Sequence, residues 1–176
     1  MVDQILCALP LGREQLLTPI FGYANRGVPG IEIIGLGQQG RSLKEKMIYL
    51  NKLNGWDIPL RKYLLCLESE EWELVKKGDR RNIELPLWLL YLKLAGKIKM
   101  RTMKDVIAAG KISSRGEIEC INFHPAARAE WSLQELIPIV GQLEQGQRSI
   151  LLDELLLPLR QEAEPKLRLI ENCLNG

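Results

Sequence analysis

The sequence predicts an α+β domain, a small mixed sheet with packed helices. Glycine-bounded, β-branched segments fill its first third, a helix-spaced run with its own start and stop signals follows, and residues 85–94 are apolar nearly all round. Residues 4–9 and 16–23 are short apolar strand candidates, and 30–36 (GIEIIGL) is the clearest strand by its β-branched content. Arg26-Gly27-Val28-Pro29-Gly30 is a turn by composition. Ser42 is the expected N-cap of the first helix, with Glu45 three residues on at capping-box spacing. Leu43, Met47, Leu50 and Leu53 keep the helical period, and Asn54-Gly55 supplies the stop. A strand is expected at 61–67 beyond Pro59.

The second half reads less regularly. Residues 85–94 predict a buried helix, with Pro86 in the tolerant first turn and Gly96 just past the end. Segments 105–112 and 117–121 flank Ser113-Ser114-Arg115-Gly116 and predict a β-hairpin. Ser132 and Glu135 repeat the capping-box spacing and predict a helix, which Pro138 must end or kink. Residues 148–157 and 164–174 are two more helical segments. The expected organisation is a domain over 1–128 and a helical C-terminal extension over 129–176.

Composition narrows function. The 176 residues carry 24 Lys and Arg against 22 Asp and Glu, a net charge of +2, which excludes a chain that coats polyanions throughout. The longest apolar run, 85–92, is far too short to span a bilayer, and no basic segment precedes an apolar one at Met1-Val2-Asp3. No membrane contact and a cytoplasmic location are therefore expected. Cys7, Cys66, Cys120 and Cys173 lack CxxC spacing and read as free thiols in a reducing compartment. The single histidine, His124, excludes a histidine-rich metal site, and beside Pro125 it reads as a loop residue. No cofactor and no catalytic constellation are expected.

Two motifs point to ligands. Gly35-Leu36-Gly37-Gln38-Gln39-Gly40 spells GxGxxG between a predicted strand and a predicted helix, the setting in which backbone N–H groups can approach a pyrophosphate. The acidic partner of that fingerprint is missing, because Asp57 falls in a loop before the next strand. A nucleotide-binding enzyme domain built on this turn is thus the alternative reading. No GxxxxGK[ST] phosphate loop occurs. The second motif is electrostatic. Lys76, Lys77, Arg80 and Arg81, then Lys97, Lys99, Arg101 and Lys104, place four cations on each side of the 85–94 helix. Such clusters attract phosphate backbones without reading sequence, so these eight are the candidate DNA contacts. The run Glu68, Glu70, Glu71 and Glu73 reads as a solvated loop, and Ser113 and Ser114 as turn formers.

The residues quoted above also stand in a telling order. Arg26-Gly27-Val28-Pro29-Gly30 with IEIIGLG behind it, then a helix, then Asn54-Gly55-Trp56-Asp57-Ile58-Pro59-Leu60-Arg61, resembles the N-terminal domain of the magnesium-chelatase-like ComM (YifB) proteins. Lys76-Lys77-Gly78 is similar to that family's Lys-x-Gly, Ile83-Glu84-Leu85-Pro86 to its Phe-Asp-Leu-Pro, and 109–118 to its Gly-Glu-Leu hairpin. The likeness covers 1–121. It implies the α+β fold shared with the Lon protease domain and the GHMP kinases, and full-length relatives that act as ATP-driven motors on DNA. Lon-type proteases use a serine and a lysine, for which 80–84 offers no serine and 123–128 no lysine. What the resemblance implies here is a non-catalytic binding or assembly domain whose partners are DNA or an AAA+ ATPase.

Overall fold

The computed structural model describes residues 1–11, 14–67, 80–119, 125–140 and 149–151. Two long strands, β1 (Val2–Leu11) and β2 (Glu14–Asn25), pair antiparallel from Val2 against Tyr23 to Leu11 against Glu14. Beside them stand β3 (Gly30–Ile34) and β4 (Lys62–Leu67), parallel to each other and joined through α1 (Gly37–Leu53). A 3₁₀ turn (Arg80–Ile83) leads into α2 (Glu84–Leu94), and β5 (Val106–Ala109) follows. Then come β6 (Lys111–Ile112), β7 (Glu117–Glu119), α3 (Pro125–Leu133), β8 (Ile137–Val140) and β9 (Ser149–Leu151). The main sheet runs β3-β4-β2-β1-β5-β8, and β2 alone opposes the direction of the rest. A small second sheet is ordered β6-β7-β9. The fold is α+β.

Strand alternation explains the layers. Ile5, Cys7, Leu9 and Ile20 share one face and pack with Leu43, Met47 and Leu50 of α1 and with α2. Ala8, Ile107 and Ala109 point to the other face, where Trp131 of α3 covers them. Because β1 is covered on both sides, its centre reads as a continuous apolar run rather than an alternating one. Every residue of α2 is buried, which is why its sequence shows no polar face. Cys7 and Cys66 are both free and buried, and burial raises the pKa of each thiol. Cys120, Cys173 and His124 lie outside the described residues, as do the acidic run at 68–73 and the expected helix at 164–174.

Four expectations are corrected. Helix α1 begins at Gly37, not at Ser42; its N-cap is Leu36, which makes no side-chain cap bond, while Ser42 Oγ reaches back to the Gln38 carbonyl at 3.5 Å within the helix. The glycine-rich segment is therefore helical sooner than its composition suggests, and Gly40 packs closely on Ile33, where an added Cβ would lie 3.3 Å from the Ile33 carbonyl oxygen. Ser42→Ala is accordingly expected to change stability by less than about 0.5 kcal/mol in urea unfolding, as befits an exposed site without a cap.

The expected first hairpin arm is two strands. Val106–Ala109 joins the main sheet beside β1, the chain breaks at Gly110, and only β6 pairs with β7. Gly110 makes the break because its backbone meets the 3₁₀ turn and α2 directly: its N–H donates to the Asn82 carbonyl at 2.9 Å and its carbonyl accepts from Leu85 N–H at 3.0 Å. The helix expected from Ser132 ends there instead. Trp131, 1% exposed, is drawn under the sheet, so the helix lies ahead of it; Glu135 turns with φ 55°, and Ile137–Val140 pairs with β5. Pro138 then sits in a strand at the edge of the described sheet, where its missing N–H is tolerated. Lastly, residues 149–151 of the expected 148–157 helix form β9, paired with β7, and 152–157 lie outside the described residues. The helical reading of the 129–176 extension thus fails at 137–140 and 149–151, and the division at 128/129 falls within α3.

Candidate nucleic-acid interface

Helix α2 is the axis of this region. Its C-terminus closes with a Schellman motif: Gly96 takes φ 74°, Gly96 N–H donates to the Lys93 carbonyl at 3.0 Å, and Lys97 N–H to the Leu92 carbonyl at 2.8 Å. The loop that follows is pinned from beneath. Ile98 and Met103 are buried, and Met100 is half-buried against the same core. Lys93, itself buried, donates from Nζ to the Met100 carbonyl. Asp3 Oδ1 at the start of β1 accepts from Thr102 Oγ1 at 3.2 Å and from Met103 N–H at 3.1 Å.

Apolar anchors at 98, 100 and 103 turn the residues between them outward. Lys99, Arg101 and Lys104 are exposed and Lys97 is half-buried. Lys104 Nζ stands 4.0 Å from Asp105 Oδ2. Four of the eight predicted contacts therefore share one fixed loop. The other cluster stands at the opposite end of α2, roughly 16 Å away for an eleven-residue helix at 1.5 Å per residue. There Arg80 and Arg81 occupy the 3₁₀ turn, and Arg81 Nε donates to Glu84 Oε1 at 3.5 Å. Lys76 and Lys77 lie outside the described residues.

Sequence reasoning missed the supports of this region. Glu84, at the first position of α2, is 5% exposed; its Oε2 accepts from Lys46 Nζ and from Ile112 N–H, both at 2.8 Å. Lys46 Nζ also donates to the Ile112 carbonyl at 2.8 Å, so one buried carboxylate ties α1, α2 and β6 together. The one available signal was a charged residue at each end of an otherwise apolar helix, Glu84 and Lys93. Sequence spacing gave no hint of Asp3.

The other motifs resolve into local structure. Gly35 has φ 95°, and an added Cβ would stand 3.1 Å from the Leu67 carbonyl oxygen; Gly37 has φ 52°; Gly40 packs on Ile33. Each glycine of the GxGxxG thus meets a backbone or packing demand of the β3–α1 corner. Ser113 is a turn former as expected: its Oγ accepts from Arg115 N–H and Glu117 N–H, both at 3.1 Å. Among the described residues no cluster of His, Cys, Asp and Glu could hold a metal ion, and no helix is long and apolar enough to cross a membrane. Compared with protein-family models and with curated proteins, the chain matches none.

Proposed function

We propose that this chain is a non-catalytic binding domain of the magnesium-chelatase-like ComM type and that it holds the phosphate backbone of DNA. The observation that carries the reading is the loop after α2, which offers Lys97, Lys99, Arg101 and Lys104 from a platform anchored by Lys93, Asp3 and buried Ile98 and Met103. Cations held in place lose less freedom on meeting a phosphate than cations on a free tail. The resemblance supports the same reading, since Ile83-Glu84-Leu85-Pro86, one of its motifs, opens the helix that positions this loop. The proposal also places the protein in the cytoplasm, where the thiols of Cys7 and Cys66 stay reduced.

The test is fluorescence anisotropy with labelled single- and double-stranded DNA of several sequences. At about 50 mM salt the parent chain should bind without sequence preference, in the range of about 10⁻⁴–10⁻⁶ M or tighter. The triple variant Lys99→Glu, Arg101→Glu, Lys104→Glu should lose binding to every sequence alike while its circular dichroism is unchanged, because all three side chains are exposed. If the parent chain gives no signal at that salt, the DNA reading fails and the expected contact passes to a partner ATPase.

A further inference from the structure

An open pocket of about 450 Å³ lies between the end of α1, the 55–61 segment, the first residues of β3 and β4, and Tyr91 of α2. Its floor is aromatic. Tyr63 and Tyr91 meet edge-to-face at 5.0 Å, and Trp56 stands edge-on to Trp88 at 6.1 Å. Both tyrosine hydroxyls are engaged: Tyr63 donates to the Pro59 carbonyl at 2.7 Å, and Tyr91 accepts from Asn51 Nδ2 at 2.8 Å. Burial pushes Tyr91 up to about 12, so it stays protonated across the physiological range. Such a floor suits recognition rather than proton transfer.

The rim and edge describe the ligand. Leu60 lines the pocket yet is 85% exposed, and Val28, beside the lining Pro29, is 86% exposed. The two loops that carry them are joined by Gly30 N–H donating to the Arg61 carbonyl at 3.0 Å. The charged lining residues are Lys52 and Arg61 against Asp57 alone. Gly30 and Ile31, also in the lining, begin β3, and among the described residues β3 is an edge strand. An edge strand offers a row of backbone donors and acceptors that a further strand can take up.

We propose that the pocket and the β3 edge together dock an extended segment of a partner protein. The segment adds a strand to β3, seats one apolar side chain over Trp56 and Tyr91, and sets a carboxylate against Lys52 and Arg61. Charge selects the occupant. A second copy pairing its own β3 antiparallel in full overlap would set Glu32 opposite Glu32, which is unfavourable, and would leave the Lys52 and Arg61 of the two copies at opposite ends of the paired strands, with no carboxylate brought to them. A partner strand whose carboxylate lies at the Gly30 end, away from Glu32, meets Lys52 and Arg61 instead. Strand addition supplies affinity through the main chain, and the pocket supplies specificity through one side chain.

A random peptide library displayed on phage and selected against the full chain tests this. The selected peptides should converge on an apolar residue with Asp or Glu close by, and a synthetic consensus peptide should bind in solution. Methylating its backbone nitrogens at alternate positions should abolish binding. The double variant Lys52→Glu, Arg61→Glu should weaken the consensus peptide by at least about tenfold and select peptides with Lys or Arg instead. DNA binding should survive that variant, and the peptide should bind the triple Lys99, Arg101, Lys104 reversal as well as the parent, which separates this site from the DNA reading. Failure to converge, a consensus without acids, or indifference to the double reversal overturns the proposal. So does a concentration-dependent dimer that Leu60→Ser disperses, which would assign the face to a second copy.

Discussion

Glu84→Ala is expected to destabilise the chain by about 3–5 kcal/mol, the usual consequence of removing one member of a buried ion pair. The carboxylate is reached by Lys46 and Arg81 and accepts the Ile112 N–H, so the variant strands that buried N–H and takes one acceptor from each of the two cations. Lys46 keeps the Ile112 carbonyl as an acceptor and its side chain is 23% exposed, which softens the loss toward the lower figure. The converse change is milder. Lys46→Ala leaves Glu84 with Arg81 and the Ile112 amide and should cost about 1–3 kcal/mol. Urea unfolding followed by tryptophan fluorescence measures both. A cost below about 1 kcal/mol for Glu84→Ala would mean that water already serves the carboxylate and that Glu84 does not join α1, α2 and β6.

Trp88→Ala should cost about as much, roughly 3–5 kcal/mol, because the side chain is fully buried and its removal leaves a cavity in the middle of α2. Two aromatic neighbours lose an edge-to-face partner as well: Trp56, and Tyr91 at 6.4 Å. Among the described residues Trp88 Nε1 has no hydrogen-bond partner, so Trp88→Phe removes an unsatisfied donor together with the bulk and should cost less than half as much. Equal losses for the two substitutions would show that the indole N–H contributes after all.

Elements whose burial matches their local pattern were legible in the sequence. Residues 30–34 alternate between half-buried and exposed, and 84–94 are buried all round, so β-branched composition found the first and an unbroken apolar run the second. Boundaries failed where tertiary packing overrode a local signal. Ser42 and Glu45 have capping-box spacing, yet the helix starts before them at Gly37, with Gly40 packed on Ile33. Residues 132–135 have the same spacing, yet burial of Trp131 puts the helix on the other side. The basic loop was legible as charge. Its support was not, because Asp3 and Met103 are 100 residues apart and only the sheet brings them together. The pocket was invisible for a similar reason: Pro29, Asn51, Trp56 and Tyr91 come from four separate segments.

The proposed DNA contact is tested most directly by the salt dependence of binding. The logarithm of the association constant for double-stranded DNA, plotted against the logarithm of salt concentration, has a slope of about −0.9 per phosphate neutralised. Four cations on the 97–104 loop predict a slope near −3.6 for the parent chain, approximately −0.9 × 4. Removing three of them in the Lys99, Arg101, Lys104 variant should bring the slope to about −1. A parent slope near zero, or one that the variant leaves unchanged, would contradict the assignment of this loop to the phosphate backbone.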